Sequence, residues 1–374
     1  MWVRSHHSLA PVSDPEIRVG IVGAGFVSAF HLAALKQLPR VKVVGIADII
    51  LEAAEHRARQ YGIPRYHGSL EELLEDEFDV LHVATPGPTH YELALLGLEA
   101  DRHIFVEKPF TQTTSEADVL MSEAERRGKQ IMVDHSLLCD PSLVSARKVI
   151  DCGALGSINS VQIFRCGRPP KRDPARAPYP MLGDPMREVG VHALYCTTSI
   201  LGPIRDAQVQ LRKTGKQPGV ELDEWSLALE CERGLAQIQM SWNGPLSQVI
   251  NVRGDKGQIR IDLASGITLT RKNWPGPKPI QLMFNPIVEA AVSMWQVFCR
   301  IGGYTVGRSR WYQGLHDLIH VYYSRVLAGE PMPFDSDEVR NLTHWVERIA
   351  NEVEEPPPAM SGEPVQSSPH VSER

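Results

Sequence analysis

Lys108, Glu188 and His192 are the residues of this chain best suited to chemistry on a substrate hydroxyl. Lys108 follows the apolar run His103–Val106 and Glu107, and Pro109 fixes the backbone behind it. An ammonium there can hold a hydroxyl and stabilise charge developing on its oxygen. Glu188 and His192 are four residues apart, so on a helix they share one face, and Tyr195 and Ser199 continue the stripe. A histidine titrates near neutral pH and can take a hydroxyl proton as hydride leaves the same carbon. Glu188 can orient that imidazole or bond a substrate hydroxyl. Taken singly, a loop lysine is usually solvated and a helix histidine usually a packing residue. The elements that carry these residues decide between the readings.

The first such element is Ile17–Asp48. Ile17–Val22 is a short apolar run of the kind buried in a parallel sheet. Gly23-Ala24-Gly25-Phe26-Val27-Ser28 follows, then a helix-compatible stretch Phe26–Leu38, then a second strand, Val41–Ala47, ending in Asp48. Gly23 allows the tight turn and Gly25 lets a pyrophosphate approach the backbone. The helix beginning at Phe26 and Val27 offers unpaired N–H groups to the phosphates. Ser28 replaces the third glycine of the fingerprint and is small enough for close helix–strand packing. Asp48 can accept both ribose hydroxyls and repels a 2′-phosphate. Ile49, Ile50 and Leu51 supply no positive charge, so NAD is expected over NADP, with Arg57 and Arg59 the nearest counter-argument.

Strands and helices then alternate. Helices are expected at Leu51–Tyr61, Leu70–Glu75, Tyr91–Ala100 and Ser115–Arg127, and strands at Phe78–Ala84, His103–Val106 and Gln130–Val133. This is the pattern of a doubly wound parallel sheet. Lys108 then sits at the strand edge where open α/β sheets bind ligands. From Ser157 to Arg271, seven strand-like runs separated by turns such as Gly254-Asp255-Lys256-Gly257 imply an α+β domain with a large, mostly antiparallel open sheet. Helices are expected at Ile287–Ile301, Trp311–Ala328 and Ser336–Val353.

Composition excludes several classes. The chain has 374 residues, enough for two domains, and a formal charge of −6, which does not suggest nucleic-acid or membrane-surface binding. Six scattered cysteines lack CxxC spacing, so neither a disulfide framework nor a zinc site is expected, and no metal is called for. No apolar run approaches a membrane span and no signal-peptide core is visible, which makes a cytoplasmic location the default. Residues 1–15 and 354–374 are polar or Pro/Ser-rich and are expected to be disordered.

The glycine fingerprint, the Thr85-Pro86 turn followed by His90, and Glu107-Lys108-Pro109 together resemble the glucose–fructose oxidoreductase / inositol dehydrogenase / rhizopine catabolism (Gfo/Idh/MocA) family. Gly153-Ala154-Leu155-Gly156 and Glu188-Val189-Gly190-Val191-His192 extend the likeness into the second half, over roughly residues 17–352. The resemblance implies a Rossmann domain over 16–136 and a substrate-binding and oligomerisation domain over 137–353, with a homodimer or homotetramer formed through the second sheet. It implies a cis peptide at Pro109. It also implies Thr85, Pro86, His90, Glu107 and Lys108 near the nicotinamide, although His90 reads equally well as a residue bonding only backbone. Two departures stand out. The family's usual Asp is Glu188 here, and its second acid after the histidine is Tyr195. An Arg that the family often carries is Leu138.

Substrate contacts are expected from Tyr195, Arg187, Arg168 and Tyr179. The last two belong to a Pro-rich stretch, Arg165–Tyr179, with a local charge of +4 over Arg165–Arg176. That stretch could clamp a carboxylate or phosphate, or be a solvated loop. The expected activity is hydride transfer between NAD and a secondary alcohol of a sugar, sugar acid or cyclitol. His192 would be the proton acceptor, Lys108 would position the hydroxyl, and Glu188 would support both. A non-catalytic NAD-sensing protein on the same fold, or a reductase of a nonsugar ketone or imine, are the alternatives.

Overall fold

The computed structural model describes residues 16–167, 183–214, 220–272, 277–305, 312–332 and 335–354. Six strands form the first sheet: β1 (Ile17–Val22), β2 (Val41–Ala47), β3 (Arg65–His67), β4 (Val80–Val83), β5 (His103–Val106) and β6 (Ile131–Val133). Their order is β3-β2-β1-β4-β5-β6 and every pairing is parallel. Helices α1 (Ser28–Leu35), α2 (Leu51–Tyr61), α3 (Leu70–Leu74), α4 (His90–Glu99) and α5 (Thr114–Arg127) connect them. The chain leaves β1 toward β2 on one side and β4 on the other. The crevice beyond the C-terminal ends of β1 and β4 is therefore the topological switch point. β4 and β5 are apolar nearly throughout because both faces are covered. His103 at the start of β5 is half-buried, and the one fully buried polar residue of the two strands, His82, becomes important below.

The second sheet follows α6 (Pro141–Asp151). It contains β7 (Ile158–Cys166), β8 (Ile204–Arg212), β9 (Glu224–Cys231), β10 (Gly234–Ser241), β11 (Ser247–Gly254), β12 (Gly257–Asp262) and β13 (Ile267–Lys272), with α7 (Val191–Leu201) between β7 and β8. The order is β13-β12-β11-β7-β10-β9-β8, and only β7–β10 is parallel. Alternation is strict on β9 and β10. Trp225, Leu227, Leu229, Ile238 and Met240 pack under α7, while Gln237, Gln239 and Glu230 face out.

Three helices end the described chain: α8 (Lys278–Thr305), α9 (Gln313–Ala328) and α10 (Ser336–Glu354). α9 crosses back to the first domain, where Leu318, Ile319, Tyr322 and Tyr323 join Leu32, Leu35 and Phe105 in one core. Gly314 makes this crossing possible, because a Cβ there would sit 2.2 Å from the Ser136 carbonyl oxygen. α10 ties both domains together. Glu347 accepts from Thr114 N and Oγ1 at 2.8 and 2.6 Å, and Trp345 Nε1 donates to Ile204 O at 2.9 Å.

Both sheets match expectation, and the differences lie in short or terminal elements and in one helix. Strand β3 and helix α6 were not expected, because three residues carry no strand period and α6 opens on Pro141, which reads as a break although it suits a first helical turn. Helix α1 is shorter than Phe26–Leu38, since the glycine turn extends to Val27. The statement that no apolar run approaches a membrane span is corrected by α8. Its Leu282–Gly303 stretch, 22 residues of mean hydropathy 1.3, is long and apolar enough to cross a membrane by length and composition. Pro286 and polar residues at every third or fourth position interrupt the run in the sequence and conceal it. Glu354, assigned to the tail, closes α10. Residues 1–15 and 355–374 lie outside the described residues.

Candidate active site

The β1–α1 turn is built to accept a dinucleotide. Gly23 has φ +101°, and a Cβ there would lie 2.4 Å from the Ala84 carbonyl oxygen, so the cradle tolerates only glycine. No side chain caps α1 at Val27, which leaves its first N–H groups open to an anion. Ser28 is fully buried and donates to Gly25 O at 2.7 Å, so it closes the turn where a glycine is usual. Asp48 accepts from Ala24 N at 2.7 Å and from Ile50 N at 2.9 Å. The carboxylate is thus aimed across the turn, and each oxygen keeps a lone pair for a ribose hydroxyl. Arg57 Nη2 donates to Gly25 O at 2.8 Å and to Ala24 O at 3.3 Å, so the cation nearest the turn is committed to its backbone. Phe26 stands exposed at the crevice mouth and meets Phe30 edge-on at 5.0 Å.

Lys108 and the His192 helix meet across the domain boundary. The Lys108–Pro109 peptide is cis, as the resemblance implied. Lys108 Nζ donates to Glu188 O at 2.9 Å. Met186–Gly190 is a π-helical turn running directly into α7, so Glu188 and His192 straddle a change in helical register rather than one uniform helix. Such turns re-aim side chains at functional sites. His192 is half-buried, and its pKa lies well below the ordinary histidine value. Burial is the main cause, and the neighbouring positive charge of Lys108 and then Arg165 add to it. His192 is therefore a neutral imidazole beside an ammonium, the pairing required to accept a proton from a hydroxyl held by that ammonium. Arg165, at the end of β7, is a cation near His192 that the sequence offered only as part of the basic stretch.

Beneath Lys108 lies a buried polar chain that the sequence did not reveal. Tyr323 Oη lies 2.8 Å from His82 Nε2, His82 Nδ1 2.9 Å from His31 Nδ1, and His31 Nε2 2.8 Å from Glu107 Oε1. Glu107 in turn bonds Asp134. Burial lowers the His31 pKa to about 4 and holds His82 well below its usual value, so both rings are neutral. Burial also holds the Tyr323 hydroxyl protonated. Tyr323 then donates to His82, His82 to His31, and His31 to Glu107. Burial raises the pKa of both Glu107 and Asp134, and the Glu107 carboxylate raises Asp134 further, so the pair shares a proton that sits on Asp134. His31, Glu107 and Asp134 each offer one ligand-type atom, and these atoms lie within 4.8 Å of one another. A cation between them would hold its ligands farther apart than the 2.8 Å hydrogen bond of His31 to Glu107.

Several expected contacts take different places. His90 is fully buried, with Nδ1 2.7 Å from Pro109 O and Nε2 2.9 Å from Thr85 O. It fixes the two loops of the crevice from behind and cannot touch a ligand. Glu107 is likewise beneath the crevice, whereas Thr85, Pro86 and Lys108 are accessible. Tyr195 is 2% exposed and bonds His192 Nδ1 at 2.7 Å and Leu137 N at 3.3 Å, so it backs the histidine rather than meeting substrate. Arg187 is buried and donates to Glu354 at 2.6 Å and Asn351 at 3.3 Å, which makes it a clasp on α10. Both were misplaced for one reason: a polar residue on a helix reads as site-facing unless the tertiary partner behind it is known. Arg168 and Tyr179 lie outside the described residues.

Residues 17–135 match the family described as "Oxidoreductase family, NAD-binding Rossmann fold", and residues 143–260 match the GFO/IDH/MocA C-terminal domain. This chain belongs to the GFO/IDH/MocA oxidoreductases. Among curated relatives, trans-1,2-dihydrobenzene-1,2-diol dehydrogenase of Sus scrofa is 28% identical over 66% of this chain and 74% of that enzyme. The Homo sapiens enzyme of the same name is 26% identical over the same shares. Among solved structures, GenD2 from gentamicin A biosynthesis, in complex with NAD, is 23% identical with a TM-score of 0.71, covering 92% of this chain and 98% of that one. Levoglucosan dehydrogenase with NADH and levoglucosan is 16% identical with a TM-score of 0.72, covering 90% and 96%. This family member thus carries an NAD-binding Rossmann domain.

Proposed function

We propose that this oxidoreductase oxidises, reversibly, a ring secondary alcohol bearing a neighbouring hydroxyl, in a sugar, sugar acid or cyclitol, with NAD as its redox partner. The observation that carries the reading is Lys108 Nζ held on Glu188 O beside neutral His192, at the C-terminal edge of the parallel sheet. NAD supplies the hydride acceptor at its nicotinamide ring. The chain does the rest. Gly23, Gly25 and the start of α1 hold the pyrophosphate, and Asp48 holds the ribose. Lys108 binds the reacting hydroxyl and stabilises its oxygen as the C–H bond breaks, while His192 Nε2 takes the proton. Glu188, whose carbonyl holds Lys108, would support the two or bond a second hydroxyl.

A second reading, a nonsugar cyclic diol or ketone, is favoured by one feature. The acid expected after His192 and the expected arginine are Tyr195 and Leu138 here, so fewer charged groups remain for sugar hydroxyls. The relatives named trans-1,2-dihydrobenzene-1,2-diol dehydrogenase fit that class. We further propose that the uncovered face of the second sheet, with Gln162, Gln237 and Gln239, pairs with a second copy. The test is reduction of NAD⁺ at 340 nm against a panel of aldoses, sugar acids, cyclitols and cyclic trans-diols. Turnover of one class assigns the substrate. NAD⁺ binding with no turnover in either direction across the panel contradicts the proposal and favours the sensing role.

A further inference from the structure

Helix α8 is inverted with respect to its own protein. Its least exposed stripe is polar: Asn285, Glu289, Ser293, Gln296 and Arg300. That stripe lies along the edge strand β13. Thr268 N donates to Gln296 Oε1 at 2.8 Å, Gln296 Nε2 donates to Thr268 O at 2.7 Å, and Arg271 forms a bidentate pair with Glu289 at 2.8 and 2.9 Å. The helix thereby satisfies the free edge of the sheet. From Leu282 to Gly302, everything it turns outward is apolar. Of the 21 exposed large apolar side chains among the described residues, eleven lie on α8, including Phe284 (54%), Met294 (62%), Trp295 (70%) and Phe298 (67%). They add up to an exposed area on the order of 1,000 Å², well above the few hundred Å² that a soluble monomer leaves bare.

Two observations bear on what covers it. The apolar surface wraps around most of the helix, everywhere except the stripe on β13. A single flat partner covers one side of such a helix, whereas a surrounding apolar medium covers all of it. Moreover, the other exposed large apolar side chains, such as Ile49, Val119, Phe164 and Leu246, are scattered, and the open face of the second sheet is polar, so among the described residues the one broad apolar surface of a second copy is its own α8, and two such helices side by side would cover one side of each and leave the rest of the wrap bare. The charge is also asymmetric. From Leu263 to His316 the sequence holds six Lys or Arg and one acid, Glu289, in a chain of formal charge −6. An apolar helix in a basic segment combines the two attractions that seat a protein on an anionic lipid surface.

We propose that α8 is a lipid-interface helix. It lies in the plane of an anionic membrane with its apolar face among the acyl chains, held to the enzyme through its polar stripe on β13. It does not span the bilayer, because Glu289, Gln296 and Arg300 remain engaged by the protein along its whole length. This docking surface is independent of the reading of the active site. The expectation that the chain avoids membranes, drawn from net charge, fails because that charge is an average over an acidic body and a basic, apolar segment.

The test is flotation of the full chain, with NAD⁺ present, through a sucrose gradient with vesicles of phosphatidylcholine alone or mixed with an equal amount of phosphatidylglycerol. The wild-type chain is expected to rise with the anionic vesicles and to be released substantially by high salt. The double variant Trp295→Glu, Phe298→Glu is expected to stay at the bottom, with binding at least about tenfold weaker. Its NAD⁺ affinity, within about twofold of wild type, reports that the fold is intact. A wild-type chain that stays at the bottom with both vesicle types overturns the proposal. So does a wild-type dimer in solution that the double variant splits, since α8 then covers a second copy.

Discussion

Tyr195 Oη lies 2.7 Å from His192 Nδ1, so the residue that stands where the resemblance led to an acid holds the histidine with a hydroxyl. The hydroxyl also receives Leu137 N–H at 3.3 Å, and the Tyr195 ring tilts onto His135 at 4.6 Å. A hydroxyl can give a proton to Nδ1 or accept one from it, so it fixes the ring without favouring the imidazolium as a carboxylate does. Tyr195→Phe keeps the ring packing and removes this hold. It is expected to lower kcat about tenfold with little change in KM, the effect of one lost hydrogen bond that orients the base. An unchanged kcat would show that packing alone places His192.

The depressed pKa of His192 sets the acid limit of the reaction. The base is needed neutral for alcohol oxidation. Burial and the Lys108 charge hold it neutral well below its ordinary value of 6.5. The kcat/KM for oxidation should therefore stay flat as pH falls through 6.5, with the acid limb below that value. Lys108→Met removes the repelling charge and should move any residual acid limb upward. A limb centred at or above 6.5 in the wild type would contradict this electrostatic assignment.

Arg187 separates the clasp from the site. Its guanidinium is buried against Glu354 and Asn351 on α10. Arg187→Ala leaves Glu354 with the Gly183 N–H but no cation and should cost about 2–3 kcal/mol of stability, less than for a fully buried pair because Glu354 is partly exposed. Thermal unfolding would report the loss. KM for the active alcohol should be unchanged, and a raised KM would return Arg187 to the substrate pocket.

Much of this could be read in the sequence, and what could not has one physical origin. The parallel sheet, the glycine turn and the acid ending β2 follow from local patterns, because strand ends and glycine turns impose their own spacing, whereas Lys108 and His192 are joined in one expected site only through the family resemblance. Contacts made across the chain leave no such trace. Nothing near His31 or His82 announces that Tyr323, from α9, closes their hydrogen-bond chain. Nothing near Tyr195 announces Leu137, and nothing near Arg187 announces Glu354. Helix α8 hid for a related reason: its polar stripe, which packs inward, breaks up the apolar face in sequence.

His135 gives a prediction on stability. It is 4% exposed, and burial lowers its pKa to about 3. Between the unfolded value of about 6.5 and the folded value of about 3, the unfolded chain takes up a proton that the folded one refuses. This residue's contribution is fully present above pH 6.5 and is lost as pH falls toward 3, amounting to about 3 kcal/mol at pH 4. His135→Phe keeps an aromatic ring against Tyr195. Its unfolding temperature relative to wild type should therefore rise markedly between pH 7 and pH 4. An equal offset at both pH values would show that His135 is protonated in the folded state.

The cradle and the ribose acid carry a separate test. Gly23→Ala drives a Cβ toward Ala84 O and should abolish measurable NAD⁺ binding. Asp48→Ala should weaken NAD⁺ binding about tenfold and narrow the preference over NADP⁺. Calorimetric titration with both dinucleotides reads both effects. Retained discrimination in Asp48→Ala would place the specificity elsewhere, with Arg57 the first residue to examine.

The most direct test of the central claim measures NAD⁺ affinity and turnover together in wild type, Lys108→Met and His192→Ala, with the alcohol that the substrate panel identifies. Both variants should bind NAD⁺ as the wild type does while kcat falls by about 10²-fold or more in each, the loss expected for removing the oxyanion donor or the base. Turnover in either variant within a few-fold of wild type, with NAD⁺ binding intact, would contradict the assignment of Lys108 and His192 as the reacting pair.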